Sequence, residues 1–194
     1  MRLPPVPAMK VDTGIRRAGA DDAAAIAGVY VETWRAAYPG LLPDRVLVGM
    51  SVARQQAAWR HTLAAQRGPE AVWVAEDAVG GVVGFASCGR ARALGGTHGG
   101  EIFTLYVLPD HQGRGHGRGL LRGCLSHLRA CGLDSALVWV LAGNPSRFFY
   151  RAMGAAQVAE RIEPLWGTKL PELAYGWSDL TRALRPDGPC AGRR

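Results

Sequence analysis

The sequence predicts an α/β domain: a mixed, mostly antiparallel central sheet with helices on both faces. Two observations carry this. Segments of helical periodicity alternate with short apolar runs, in the order strand, two helices, three strands, helix, strand, helix, two strands. One run, EIFTLYVL at 101–108, is apolar on both faces and therefore belongs in mid-sheet.

The elements follow in order. GIRRAG (14–19) is a short strand. A helix covers 21–38, with Ile26, Val29, Tyr30, Trp34 and Ala37 at helical spacing and Asp21 or Asp22 as its cap. PGLLPD breaks the pattern, and a second helix spans roughly 44–66. Residues 71–90 read as two strands about a turn at Val79–Gly81. The glycine-rich loop ALGGTHGG leads into the mid-sheet strand. The helix after it runs to about Cys131, with Leu120, Leu121, Cys124, Leu125, Leu128 and Cys131 as its buried stripe. SALVWVLA (135–142) is another buried strand, PSRFFYRAM a short helix, and the last strands fall near 155–163 and 171–178. Residues 1–12 and 185–194, rich in Pro, Gly and charge, read as loose tails on a single domain at 13–184.

Composition excludes some classes. The 194 residues fit one domain, and no apolar stretch is long enough to span a membrane. The N-terminal residues lack the apolar core of a signal peptide. Four cysteines, Cys88, Cys124, Cys131 and Cys190, show no metal-ligand or disulfide spacing, so no metal is expected and a cytoplasmic setting is. The net charge of +7 comes mostly from scattered arginines rather than a basic run. Nucleic-acid binding therefore rests on charge alone and is a weak reading.

The informative stretch is LPDHQGRGHGRGLL, residues 108–121. A glycine-rich turn between a strand and a helix start is an anion site: the first helical N–H groups lack intrahelical partners, and the dipole favours negative charge. Gly113, Gly115 and Gly117 let backbone approach a phosphate, and Arg114, His116 and Arg118 add charge at the rim. The turn is not a Walker loop, since no Gly-Lys-Ser/Thr ends it. It also makes a poor dinucleotide fingerprint, since no acidic residue ends the following strand.

Gln112-Gly-Arg-Gly-His-Gly117 resembles the Q/R-x-x-G-x-G/A signature of the GNAT superfamily of acyl-CoA N-acyltransferases. Asn144-Pro-Ser-Arg-Phe-Phe-Tyr150-Arg-Ala-Met-Gly154 is similar to that family's N…FYxxxG segment, and the likeness covers roughly residues 14–181. The resemblance implies a donor, acetyl-CoA, with CoA as product. It places the pyrophosphate on Gly113, Arg114, Gly115, His116, Gly117 and Arg118, and the pantetheine along the backbone of Leu105, Tyr106 and Val107, with Asn144 bonded to it. It assigns Tyr150 to the leaving thiolate, as proton donor or stabiliser. Glu101 matches a frequent glutamate and is a candidate base, taking a proton from the acceptor amine directly or through water. Trp34 and Tyr38 form one acceptor wall, and Glu32 and Asp44 are weaker candidates for binding a cationic acceptor. Trp166 and Tyr175 line the opposite wall or meet a second subunit; a homodimer is a family-level expectation.

Two departures stand out. Relatives that acetylate protein N-termini carry a glutamate five residues before the asparagine, where this chain has Trp139. Asn144 and Tyr150 are six apart rather than the usual seven. The expected activity is acetyl transfer to a primary amine of a small molecule, by direct attack in a ternary complex. A non-catalytic acyl-CoA-binding module and a protein or peptide N-acetyltransferase stay open as alternatives.

Overall fold

The computed structural model describes residues 14–92, 98–165 and 167–190. Its strands are β1 (Gly14–Arg17), β2 (Ala71–Glu76), β3 (Val82–Arg90), β4 (Gly100–Val107), β5 (Ala136–Leu141), β6 (Ala156–Leu165) and β7 (Thr168–Trp177). They form one sheet in the order β1-β2-β3-β4-β5-β7-β6. Only the β4–β5 pair is parallel; the other neighbours are antiparallel.

The helices are α1 (Ala23–Ala37), α2 (Asp44–Val48), α3 (Val52–Ala64), α4 (His116–Ala130), α5 (Ser146–Ala152) and α6 (Leu180–Ala183). On one face of the sheet, Leu120, Leu121, Cys124, Leu125 and Leu128 of α4 bury into a core with Ala86, Ile102 and Val138. The sequence stripe is correct up to its last member, since Cys131 is only half-buried. On the other face, Ile26, Ala27 and Val29 of α1 and Trp59 and Leu63 of α3 pack on Val72, Val74 and Phe85.

The helix expected over 44–66 is two helices. Gly49 ends α2, where a Cβ would come within 2.9 Å of the Arg45 carbonyl oxygen. Ser51 then starts α3 by accepting a hydrogen bond from the Arg54 N–H at 3.4 Å. The C-terminal segment also departs from expectation. Residues 185–190 fold back on the domain instead of trailing, and Cys190 is fully buried. The N-terminal tail at 1–12 and most of the loop ALGGTHGG lie outside the described residues.

One irregularity of the sheet prepares a site. β4 and β5 pair at only three positions, Gly100↔Ala136, Glu101↔Leu137 and Ile102↔Val138. Beyond Ile102, β4 stays with β3 as far as Val107, while β5 stays with β7 as far as Leu141. Ser87 faces Thr104 and Cys88 faces Ile102, so Phe103 is the extra residue of a β-bulge. A bulge bends its strand and raises its twist. It also resets the alternation of side chains. Ile102 and Leu105, three apart, both reach the α4 core, whereas Tyr106 packs on the α1 side.

Candidate active site

The split between β4 and β5 opens into a cavity of about 1030 Å³. Leu105, Tyr106, Val107, Val140 and Leu141 border it, with Gln112, Gly113, Gly115, Gly117 and Arg118 at one end and Asn144, Phe149 and Tyr150 along one side. The two motifs, more than twenty residues apart in sequence, therefore meet in one place.

The glycine turn is shaped by backbone sign. Gly113 has φ +75 and Gly115, the residue before α4, has φ +95. Both lie in the left-handed region that favours glycine. A Cβ on Gly113 would meet nothing within 4 Å, so the space beside that backbone is open. The Gly119 N–H is the first to bond back, to the Gly115 carbonyl at 2.9 Å. The amides of His116, Gly117 and Arg118 thus stand at the free helix start, where an anion is favoured. These features fit a pyrophosphate. Gln112 closes the turn, its Nε2 donating to the Val107 carbonyl at 3.0 Å.

His116 corrects an expectation. Its side chain is buried against His111, ring centroids 6.3 Å apart, rather than at the rim. Burial, His111 and Arg114 all push its imidazole pKa down, so it supplies backbone to the turn but no charge.

Asn144 caps α5: its Oδ1 accepts from the Ser146 N–H at 2.8 Å while the residue lines the cavity. Tyr150 follows on the buried side of α5, its ring edge-on to Trp177 at 6.4 Å. Burial pushes its phenol above the ordinary tyrosine value, so the hydroxyl is protonated at neutral pH.

The rest of the cavity wall is aromatic and charged. Trp34 stacks on Tyr30 and meets Tyr38 at a tilt, with centroids at 5.0 and 4.9 Å. The Tyr38 hydroxyl lies 3.4 Å from that of Tyr106. Burial raises both phenols, so neither ionises near neutral pH. Glu101 is 1% exposed, and Arg92 holds both of its carboxylate oxygens. The Arg92 backbone N–H reaches Oε2 at 3.0 Å, and its guanidinium bonds both oxygens. Arg161 lies over the Trp139 ring at 4.1 Å and pairs with Glu172 at 2.7 Å and Glu163 at 3.3 Å.

Other expectations sort accordingly. Trp34 and Tyr38 border the cavity, but Glu32 and Asp44 do not; both point to solvent, because they lie on the outer faces of α1 and α2. Tyr175 is buried in the α4-side core, and Trp166 lies outside the described residues. Sequence reading missed Arg92, Arg161, Glu163 and Glu172. One signal pointed to Arg92: a glutamate inside an otherwise apolar mid-sheet strand needs a cationic partner, since an unpaired buried charge is costly.

The model of the Acetyltransferase (GNAT) family matches residues 23–155. The chain belongs to that family. It is 35% identical to the N-acetyltransferase YuaI of Bacillus subtilis (strain 168) over 167 residues, 86% of this chain and 94% of that protein. It is 33% identical to the L-methionine sulfoximine/L-methionine sulfone acetyltransferase of Pseudomonas aeruginosa over 133 residues, 68% of this chain and 72% of that one. Among solved structures, yncA from Salmonella typhimurium with its cofactor acetyl-CoA superposes with a TM-score of 0.64 at 27% identity. That match covers 87% of this GNAT chain and 94% of the other.

Proposed function

We propose that this GNAT protein moves an acetyl group from acetyl-CoA to the primary amine of a small molecule, and that the acceptor carries a carboxylate beside that amine. The observation behind this reading is the cavity through the sheet. It joins the glycine turn and Tyr150 to the Arg92–Glu101 ion pair. The acetyl-CoA held by the yncA structure supports the donor, and the amino-acid-like acceptors in the name of the Pseudomonas relative support the acceptor class.

The donor supplies a thioester at the split, its pyrophosphate on the amides of Gly113–Arg118 and its pantetheine along Leu105–Val107 and Asn144. The acceptor supplies an ammonium that must lose a proton before its nitrogen attacks. Glu101 is our candidate to take that proton, and both of its oxygens are engaged by Arg92. A carboxylate on the acceptor draws the Arg92 guanidinium to itself as a bidentate partner. That frees Glu101 toward the neighbouring ammonium, so a zwitterion replaces one ion pair by two. As the new C–N bond forms and the C–S bond breaks, the nitrogen gives up its second proton, which the departing sulfur takes to leave as the CoA thiol, and the charge that builds on that sulfur meets the Tyr150 hydroxyl. A phenol raised above 10 is a weaker acid than a thiol, so Tyr150 acts first as a hydrogen-bond donor to that sulfur.

Attack without an acetyl-enzyme is supported by where the thiols sit. Cys88, Cys124 and Cys190 are buried in the core and Cys131 lies beyond the far end of α4; none borders the cavity. Burial and the neighbouring Cys88 push the Cys124 thiol pKa well up, which leaves it unreactive.

The test is a thiol-release assay on a panel of L-amino acids, each beside the amine that lacks its carboxylate. Acetylation of the amino acids, with KM about tenfold or more below that of the decarboxylated partner, is expected for a carboxylate–guanidinium contact. Equal KM values would overturn the carboxylate. A folded protein that binds acetyl-CoA yet releases no thiol with any amine would make the chain a binding module.

A further inference from the structure

The carbonyl of Met153, which ends α5 just after Tyr150, is gripped from two sides. Trp177, the last residue of β7, donates its indole N–H to that oxygen at 2.8 Å. The Cys190 thiol points at the same oxygen, 3.4 Å away, from the chain's C-terminal segment. Both side chains are almost wholly buried, Trp177 at 2% and Cys190 at 0% exposure. A helix end leaves its last carbonyls without intrahelical partners. Here one of them is fixed by two elements that belong neither to α5 nor to the strands beside the split.

The packing around this carbonyl is close. Pro189 sits on Gly154, whose φ is +82; a Cβ there would come within 2.3 Å of the proline ring. Gly188 lets the segment turn against α6, since a Cβ would meet the Arg182 oxygen at 2.7 Å and the Ala183 oxygen at 2.9 Å. Arg118 and Arg122 of α4 are near enough to Cys190 to favour its charged form, against the burial that pushes its pKa up. Cys190 is thus buried where the end of α5 meets α4, the helix that begins at the glycine turn, with Pro189 covering Gly154 from the solvent side. Trp177 adds a second constraint, its ring against that of Tyr150.

We propose that Trp177 and Cys190 are positioning residues: by holding the Met153 carbonyl they fix the last turn of α5, and so set where the Tyr150 hydroxyl meets the sulfur of the donor. This rests on the role of Tyr150 argued above. Neither residue borders the cavity. Their effect therefore passes through the end of α5 and, for Trp177, through its ring contact with Tyr150. It falls on turnover and leaves donor binding, which belongs to the glycine turn and Asn144, nearly untouched.

The experiment is a double-mutant cycle on the full chain, with kcat by thiol release, acetyl-CoA affinity by calorimetry and a thermal melt for each protein. Trp177→Phe keeps a ring and loses the hydrogen bond; Cys190→Ala loses the thiol; Cys190→Ser restores a donor. Trp177→Phe is expected to lower kcat roughly tenfold, within the ~100-fold that a misplacement of about 1 Å can cost. Acetyl-CoA affinity should stay within about twofold, and Cys190→Ser should recover most of what Cys190→Ala loses. In the Tyr150→Phe background, Trp177→Phe should change kcat by less than about twofold, because the group it positions is gone. If Tyr150→Phe lowers kcat but Trp177→Phe does not, or if the two losses multiply in the double variant, the positioning role is wrong and that of Tyr150 stands. If Tyr150→Phe leaves kcat unchanged, both fall together. A Trp177→Phe protein that melts earlier but turns over at the wild-type rate marks a merely structural tryptophan.

Discussion

Tyr150 and Glu101 are both buried beside one cavity, and their surroundings prepare them differently. Tyr150 is surrounded by apolar groups that keep it neutral, so it can donate a hydrogen bond throughout the range in which the enzyme would work. Tyr150→Phe should lower kcat by about 100-fold, the lower end of what a positioned acid supplies, with acetyl-CoA KM changed little. Because burial raises the phenol, the protonated form persists past its ordinary titration near 10. The kcat–pH profile should therefore show no falling limb from Tyr150 below about pH 10. A falling limb near pH 8 that vanishes in Tyr150→Phe would contradict this. Glu101 is buried with its charge already matched by Arg92. Arg92→Gln removes the partner of Glu101 for every acceptor, but it should raise KM for carboxylate-bearing acceptors roughly tenfold or more beyond its effect on carboxylate-free amines, measured by steady-state thiol release. The motif residues Gln112, Asn144 and Tyr150 were legible in the sequence because their spacing is short and ordered. Arg92, Arg161 and Glu172 were not, because only the fold brings β6, β7 and the end of β3 to one cavity.

Among the elements, the glycine turn shows how backbone geometry separates two residues of one motif. Gly115 sits at φ +95, where an L side chain is strained, whereas a Cβ on Gly117 would lie 3.6 Å from the Phe149 ring, an ordinary contact. Gly115→Ala should therefore cost about 1–2 kcal/mol in denaturant unfolding and weaken acetyl-CoA binding, while Gly117→Ala should leave stability close to unchanged. Equal losses at the two positions would remove the distinction. At the other end of the domain, Arg16 of β1 pairs with Asp22, just before α1, at 2.8 Å. That pair, helped by the Gly19 N–H, holds the Asp22 carboxyl below the usual range. A carboxyl lowered by folding adds stability that is complete above its unfolded value near 4 and is lost as pH falls through the folded value. Asp22→Asn should thus destabilise at pH 7 and flatten the loss as pH falls below about 4, as read by denaturant midpoints across a series of acid pH values. Strands and long helices were read from apolar periodicity with their order intact. The break at Gly49–Ser51 was not, because a glycine and a serine are tolerated inside a helical pattern, and the close approach of the Arg45 carbonyl that only a glycine permits is visible in the fold alone. The docking of 185–190 was hidden for the same reason. A Pro/Gly-rich composition reads as a tail, and the buried place that Cys190 takes exists only once α4, α5 and β7 have assembled.

At the scale of the whole molecule, the sheet is two half-sheets, β1–β4 and β5–β7, joined along their common edge by three residue pairs. The helices that cover them complete the connection, but beyond Ile102 and Val138 the facing strand edges have no strand to pair with. An unpaired edge inside a protein is costly unless something fills it. A donor whose arm lies in the split would satisfy both edges at once and tie the halves together. Binding to the folded state alone stabilises it by about 2.7 kcal/mol at a ligand concentration 100-fold above Kd. For a chain of this size that is a rise in Tm of roughly 5–10 °C. Hydrogen exchange separates this from a contact at the turn alone. With acetyl-CoA bound, amides should slow at Leu105–Val107 on one lip and at Val140 and Leu141 on the other, in addition to Gly113–Arg118. Protection confined to Gly113–Arg118 would mean that the pyrophosphate docks while the arm stays outside the sheet. The thioester would then never reach Tyr150, and the cavity through the split would need another occupant.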